Sequence, residues 1–505
     1  MAELIRQILT ARVYDVATET PLDALPRLGE RLGRPVSIKR EDLQPVFSFK
    51  LRGAYNRMVQ LAPAARQAGV IGASAGNHAQ GLAVAAQMLG IKATVVVPTT
   101  TPEIKVDAIR RLGAEVVMHG EDFDAAHALA RELERETGAT FVHPFDDEAV
   151  IAGQGTIGAE IVRQHRGELE AVFIPVGGGG LAAGIATIVR YLRPGVKIIG
   201  VEPEDAASMQ AAFSAGGPVA LDEVGLFADG VAVKRVSDLT YRLCRDNLDG
   251  LMTVDTDAIC AAIKDVYENC RAIPEPSGAV ALAGLKAYAA EHGPGEGGLT
   301  AVLSGANLNF DQLRYVAERA ELGEGMEALL AVGMPERPGS YREFIRLLND
   351  RSLTAFSYRY ADPEQAQIFV GVALKEGHSE KDALIRRLEE GGFAVTDLSD
   401  NETVKTHTRY LVGGRARAVE NELIFRFIFP ERPGALLRFL ESLDPAWNIT
   451  LFHYRYHGAD YGRVLAGIEA PSEAAAELAR AFDRLGYPYE DVTGDESIRM
   501  FLRGK

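Results

Sequence analysis

From Val70 to about Pro203, short apolar runs alternate with helix-length amphipathic segments, and this alternation restricts the architecture more than any other feature of the chain. "VIGAS" leads into "HAQGLAVAAQMLG", "ATVVVP" into "PEIKVDAIRRLG", "AEVVM" into "DAAHALARELERETG" and "TFVHP" into "GTIGAEIVRQH". "AVFIPV" then meets "GGGG" and "LAAGIATIVRYL", and "KIIGVEP" follows. Apolar runs separated by helices are expected to be parallel strands joined by crossover helices, so this region is α/β. Ligands in such sheets sit beyond the carboxyl ends of strands, where loops enter helices. The loops after "VIGAS" and after "AVFIPV" are therefore the ones to read for chemistry.

Past about Asn309 the character changes, first through the polar segment "ERAELGEGME" and then through an internal repeat. "PERPGS" at Pro335 recurs as "PERPGA" at Pro430, "FSYRY" at Phe356 as "FHYRY" at Phe452, Gly371 matches Gly467, and Gly392 matches Gly486. The offset stays at 94 to 96 residues throughout. Each copy reads strand, turn, helix, strand, strand, helix, strand, the split βαβ or ferredoxin-like order. The expected organisation is an α/β region over 1–320, a linker at 321–326, and two α+β units over 327–400 and 420–495. Neither unit carries an evident nucleophile or metal cluster, so binding or assembly is their expected task.

Composition narrows the partners. A formal charge of −16 with no dense Lys/Arg block speaks against nucleic acid and against anionic membrane surfaces. The three cysteines, Cys244, Cys260 and Cys270, form no CxxC and no metal-type cluster, which fits free thiols in a reducing compartment. The first residues read as neither a secretory signal nor a transit peptide, and no apolar run has membrane-spanning length. A cytoplasmic location is the expectation.

"PVGGGGLAAG" (Pro175–Gly184) places four glycines between a strand and a helix, leaving bare amides at a helix N-terminus. That is a phosphate cradle. Gly177, Gly179 and Ala182 also satisfy G-x-G-x-x-A with Glu202 about twenty residues on, so a dinucleotide-dependent oxidoreductase is a rival. The second loop, "SAGNHAQG" (Ser74–Gly81), combines small residues with Asn77, His78 and Gln80 and suits a carboxylate or a ring hydroxyl. Simple helix capping would explain Ser74 or Asn77 alone. Upstream, "VFSFKLRGAY" sets Lys50 between Phe49 and Leu51, an apolar flank that would lower the pKa of a nucleophilic amine.

Lys50 in "SFKLRGAY", "SAGNHAQG", "GGGGLAAG", "EPSGA" at Glu275 and "LSGANLNF" at Leu303 occur in the order that resembles the threonine/serine dehydratases. These are pyridoxal-phosphate enzymes of the tryptophan-synthase-β type, and the tandem ACT-like units extend the resemblance to their biosynthetic, threonine-deaminating branch. The resemblance implies a fold type II catalytic region of two α/β subdomains followed by two ferredoxin-like (ACT-like) domains. It implies that Lys50 holds pyridoxal 5'-phosphate as a Schiff base, with Gly177, Gly178, Gly179, Gly180 and the Leu181 amide on its phosphate. Asn77 would bond the ring hydroxyl, Ser304 would face the ring nitrogen, and Ser74, Gly76 and His78 would receive the substrate carboxylate. A serine at the nitrogen does not force its protonation, which suits elimination better than transamination.

The implied reaction takes L-threonine to 2-oxobutanoate and ammonia, with L-serine to pyruvate as a side activity. Isoleucine as inhibitor, valine as its antagonist and a homotetramer are implied in the same way, and no metal cofactor is. Serine racemases resemble the chain too, but they carry a proton-moving serine where this sequence has Ala75. In the tail, Tyr358 and Tyr360, and likewise Tyr454 and Tyr456, share a strand face and are candidate effector contacts. A third reading, an amino-acid sensor without catalysis, would leave Lys50, Asn77, the glycine loop and Ser304 unused.

Overall fold

The computed structural model describes residues 1–337, 339–349, 351–361, 364–414, 416, 419, 421–430, 434–455, 461–471, 474–495, 498 and 502. Two compact units divide the chain, Met1–Ala320 and Glu321–Lys505. Among the described residues no helix is long and apolar enough to cross a membrane.

In the first unit ten strands form two sheets. They are β1 (Leu22–Ala24), β2 (Val36–Arg40), β3 (Val70–Ala73), β4 (Ala93–Val97), β5 (Glu115–Met118), β6 (Thr140–Phe141), β7 (Leu169–Pro175), β8 (Lys197–Pro203), β9 (Gly250–Val254) and β10 (Gly298–Leu303). The larger sheet has the order β1-β2-β10-β7-β8-β9, parallel apart from the β1–β2 pair, and the smaller has the order β5-β4-β3-β6, parallel throughout. The period of two along β7 shows why its sequence from Ala171 to Pro175 is an unbroken apolar run. Val172 and Ile174 pack with the helices Glu148–Gln164 and Gly180–Leu192, while Ala171 and Phe173 pack with the helix Pro276–His292 on the other face. A strand covered on both faces has no solvent side to make polar.

The smaller sheet is covered in the same way. Val95 and Val97 meet Leu82 and Ala86 of the helix Asn77–Leu89, and Val96 meets Ala126 and Ala130 of the helix Phe123–Thr137. Every strand named in the alternating pattern is present, and the helices between them lie where the amphipathic segments stand.

The second unit is one antiparallel sheet made by both repeats. Its strands are β11 (Glu327–Pro335), β12 (Leu353–Arg359), β13 (Gln365–Ala373), β14 (Ala394–Asp397), β15 (Glu422–Pro430), β16 (Asn448–Arg455), β17 (Tyr461–Glu469) and β18 (Tyr489–Asp491). The order is β14-β11-β13-β12-β16-β17-β15-β18, so the repeats join through β12 and β16, with Phe356 opposite Tyr454 and Tyr358 opposite Phe452. In each repeat the glycine that precedes the first helix is left-handed, Gly339 at φ 97° and Gly434 at φ 82°. Of the expected linker 321–326, Glu321 to Gly323 belong to the helix Gln312–Gly323, because the apolar spacing of Val316 and Ala320 carries the helix past Ala320.

Candidate active site

Lys50 opens the helix Lys50–Met58, and backbone bonds tie the segment before it to the carboxyl end of β10. Phe49 N–H donates to Ser304 O at 3.2 Å, Ala306 N–H donates to Phe47 O at 2.8 Å, and Ser48 bridges Gly305. This zipper brings Lys50 and Ser304, 254 positions apart in sequence, to one place. The Lys50 side chain is half-buried, makes no ion pair among the described residues, and has its Nζ 3.4 Å from Pro144 O. Burial pushes its amine down to about 8, against an opposing pull from the Glu275 carboxylate.

Lys39 provides the contrast. It is fully buried but saturated, with Nζ 2.6 Å from the Glu160 carboxylate and donating to Thr20 O and to Gln164 Oε1 at 2.9 Å. Lys39 is committed to a buried ion pair, whereas Lys50 Nζ makes none among the described residues.

After β7 the loop carries Gly177 to Gly180 into the helix Gly180–Leu192, with Gly179 at φ 87°. The helical ladder opens with Ala183 N–H to Gly179 O at 2.8 Å, so the amides of Gly180 and Leu181 precede it and point out of the helix start. Side chains are excluded here by neighbours. A Cβ on Gly178 would lie 2.2 Å from the Phe145 ring, and one on Gly180 2.9 Å from Phe145 Cα. Phe145 follows Pro144, so one short turn touches both the lysine amine and the glycine loop.

Asn77 begins its helix after β3 and sits in a polar chain. Asn307 Nδ2 donates to Asn77 Oδ1 at 2.6 Å, and Asn77 Nδ2 donates to Glu275 Oε1 at 2.6 Å. Ser74 Oγ accepts the Gly76 N–H at 3.2 Å, and the space above the Gly76 Cα is open. The His78 ring points away from this opening. It is buried with Nε2 2.8 Å from Val142 O, and burial pushes it down to about 3, so it is a neutral donor to the backbone. What His78 can offer a carboxylate is its backbone N–H in the first turn of the helix. Ser304 is buried at the end of β10, with its hydroxyl 3.3 Å from Ser277 O.

Glu202 removes the acid that the dinucleotide reading needs. Its carboxylate is buried and accepts the N–H groups of Met209 and Gln210, both at 2.8 Å, at the start of the helix Ser208–Ala215. It caps a helix, and burial pushes it up to about 7. Phe145, Asn307 and the task of Glu275 escaped the sequence reading. Only the "EPSGA" motif signalled the last of them. Among the described residues no group of three His, Cys, Asp or Glu is arranged to hold a metal ion.

Three of the four tail tyrosines lie in or against the core of the second unit. Tyr358 is in the core with its hydroxyl donating to Glu336 Oε2 at 2.6 Å; Tyr454 is buried in the same core, and Tyr360 packs against it. Tyr456 lies outside the described residues. In this unit a cavity of about 180 Å³ opens between the helices Ser340–Leu347 and Ala435–Ser442. Arg346, Asn349, Arg351, Leu436, Phe452 and Tyr454 are among its walls.

The donor set fits pyridoxal phosphate: an unpaired, half-buried lysine, a side-chain-free amide cradle and a buried hydroxyl brought beside that lysine by the backbone. Comparison with known proteins agrees. Residues 13–305 match the family described as pyridoxal-phosphate dependent enzyme, and residues 318–408 and 413–502 match the C-terminal regulatory domain of threonine dehydratase. The biosynthetic L-threonine dehydratase of Burkholderia multivorans is 53% identical over 99% of both chains. That of Escherichia coli is 53% identical over 100% of this chain and 98% of its own. The processed threonine deaminase isoform 2 of Solanum lycopersicum, a solved structure, is 51% identical with a TM-score of 0.62, covering 63% of this chain and 93% of its own. Maize serine racemase shares the fold of the first unit at 30% identity and a TM-score of 0.58, over 62% of this chain and 96% of its own. With both halves of the chain accounted for, it belongs to the biosynthetic threonine dehydratases, a family of pyridoxal-phosphate dependent enzymes.

Proposed function

We infer that the chain deaminates L-threonine to 2-oxobutanoate and ammonia, the first committed step of isoleucine biosynthesis, with Lys50 as the residue that carries cofactor and proton. Bound pyridoxal phosphate supplies an electron sink for the negative charge that develops at Cα. The work left to the chain is to hold the reactants and move one proton. Lys50 takes the α-proton on Nζ, and an amine pushed down to about 8 has a useful neutral fraction near pH 7. The amides of Gly177 to Gly180 and Leu181 bind the phosphate, Asn77 the ring hydroxyl and Ser304 the ring nitrogen. Ser74, Gly76 and the His78 N–H receive the substrate carboxylate.

Ala75 stands at the sequence position where the resembling serine racemases carry a proton-moving serine, and its methyl group has no acid to offer. A proton removed by Lys50 cannot be returned from that position, and loss of the β-hydroxyl is the remaining exit. L-Serine has the same leaving group and is a side substrate giving pyruvate. The ACT-like pair senses isoleucine as inhibitor and valine as its antagonist, and the chain assembles as a homotetramer in the cytoplasm. The cavity of about 180 Å³ in the second unit, walled in part by Arg346, Asn349 and Arg351, is the candidate place for such an effector.

The observation that carries this reading is the half-buried Lys50, free of any ion pair among the described residues and directly preceded by Phe49, whose N–H is bonded to Ser304 O. The test is 2-oxobutanoate release from L-threonine by purified protein, with and without isoleucine. Lys50→Ala is expected to abolish release while the protein stays folded. Normal turnover in that variant would overturn the assignment.

A further inference from the structure

Glu275 has no task in the reaction as described, yet it sits in the middle of the site. It precedes the helix Pro276–His292, but its carboxylate does not cap that helix. The side chain turns back into the protein, 4% exposed, and accepts Asn77 Nδ2 at 2.6 Å, Ser277 Oγ at 2.9 Å and the backbone N–H of Asn307. Space around it is closed. A Cβ on Gly305 would lie 2.8 Å from Glu275 Oε1, and one on Gly230 would lie 3.5 Å from it.

This arrangement decides which way the Asn77 amide faces. An asparagine presents two donors at one end and an acceptor at the other, and reversing them changes what it can bind. Here Asn307 Nδ2 occupies the oxygen and Glu275 takes one Nδ2 hydrogen, leaving the second for an incoming oxygen. A neutral amide in place of Glu275 could satisfy Asn77 in either direction, but a carboxylate accepts only.

The charges around it are few. Asp229 faces Glu275 and is itself paired with Lys105 at 2.7 Å. Lys50 lies within its field, and His78 and His143, which also feel Lys50, are kept neutral by burial. Burial and Asp229 push Glu275 up to about 6, which leaves it mostly ionised at neutral pH.

We propose that Glu275 is a positioning residue for the cofactor, its carboxylate locking the Asn77 amide in the donating direction. The proposal rests on the reading of Lys50 as the cofactor lysine. The lock needs the carboxylate ionised, and a carboxylate near a cationic nitrogen raises that nitrogen's pKa, so removing its charge lowers it.

The experiment is a pH titration of the visible absorbance of the holoenzyme, in wild type, Glu275→Gln and Glu275→Asp, with cofactor stoichiometry measured for each. The expected result is a transition moved down by about 1 pH unit in E275Q and restored toward wild type in E275D, which keeps the charge. An E275Q transition that coincides with wild type overturns the proposal. Ser277→Ala is a milder probe should E275Q fail to fold. It removes a donor that keeps the carboxylate ionised, so a smaller shift of the same sign is expected and an unmoved transition again overturns the proposal. A wild type that takes up cofactor without forming a visible band would refute the Lys50 reading itself. A band present but unshifted in the variants would refute only the task given to Glu275.

Discussion

Arg52 and Glu160 meet 2.6 Å apart with neither side chain reaching solvent, two positions along the helix from Lys50. Arg52 also bonds Glu41, and Lys39 bonds Glu160, so two cations and two carboxylates balance in one buried cluster. Breaking one partner of such a group leaves an uncompensated buried charge, at a cost of about 3–5 kcal/mol. Glu160→Gln is therefore expected to lower the stability of the first unit by that order in urea unfolding. Adding Lys39→Met restores the balance and is expected to recover part of the loss. A double variant less stable than E160Q would refute the charge-balance account.

The strands of the α/β region and the order of the repeats are legible in the sequence because both are written in local periodicity. What is absent from the pattern is which strands pair. β10 lies between β2 and β7, and no local feature of "GLTAVL" points to partners so far away in sequence. The site divides along the same line. The glycine loop and Lys50 announce themselves through residue types, while the Asn77–Glu275 bond joins positions 198 apart. Glu202 shows the opposite failure. Its spacing from the glycines suits a ribose, but the local sequence does not reveal that a following helix start has already claimed its oxygens.

The lowered pKa of Lys50 fixes the pH dependence of cofactor capture. The folded amine loses its proton at about 8, below the ordinary 10.5, because burial disfavours its charge. Between those values an unfolded chain binds the extra proton, so folding of the apoenzyme is favoured as pH rises through that window, and the penalty is fully present below about 8. Only the neutral amine attacks the aldehyde of pyridoxal phosphate. The rate of cofactor uptake by apoenzyme is expected to rise about tenfold per pH unit below the folded pKa and then level off. Stopped-flow absorbance checks it; a rate still climbing steeply up to pH 10.5, the ordinary lysine value, would mean an unperturbed lysine.

Gly180→Ala tests the cradle. The added Cβ would meet Phe145 backbone and side-chain atoms at 2.9 Å, and Phe145 can yield only by shifting Pro144, whose carbonyl lies at the Lys50 amine. Cofactor binding is expected to weaken by about tenfold or more, about 1.4 kcal/mol, with little change in the far-UV circular dichroism. Equilibrium dialysis of pyridoxal phosphate measures it, and an unchanged affinity would show that the loop relaxes without reaching the cofactor.

The seam of the regulatory unit is held by a ring pair, Phe356 on β12 against Phe452 on β16, with centroids 5.4 Å apart and planes at 83°. Each ring belongs to a different repeat, and both are buried in the core that the repeats share. Truncating one removes its own buried area and opens a void that the facing repeat cannot fill without leaving its strand register. Phe356→Ala is expected to cost about 3–5 kcal/mol, more than a comparable truncation at the outer strands β14 or β18. Because the pair is the link between repeats, the loss falls on their cooperation. In thermal unfolding the regulatory unit of the variant is expected to separate into two transitions, where the wild type shows one. A single transition, merely lowered in temperature, would mean that the backbone pairing of β12 with β16 is enough to keep the repeats cooperative.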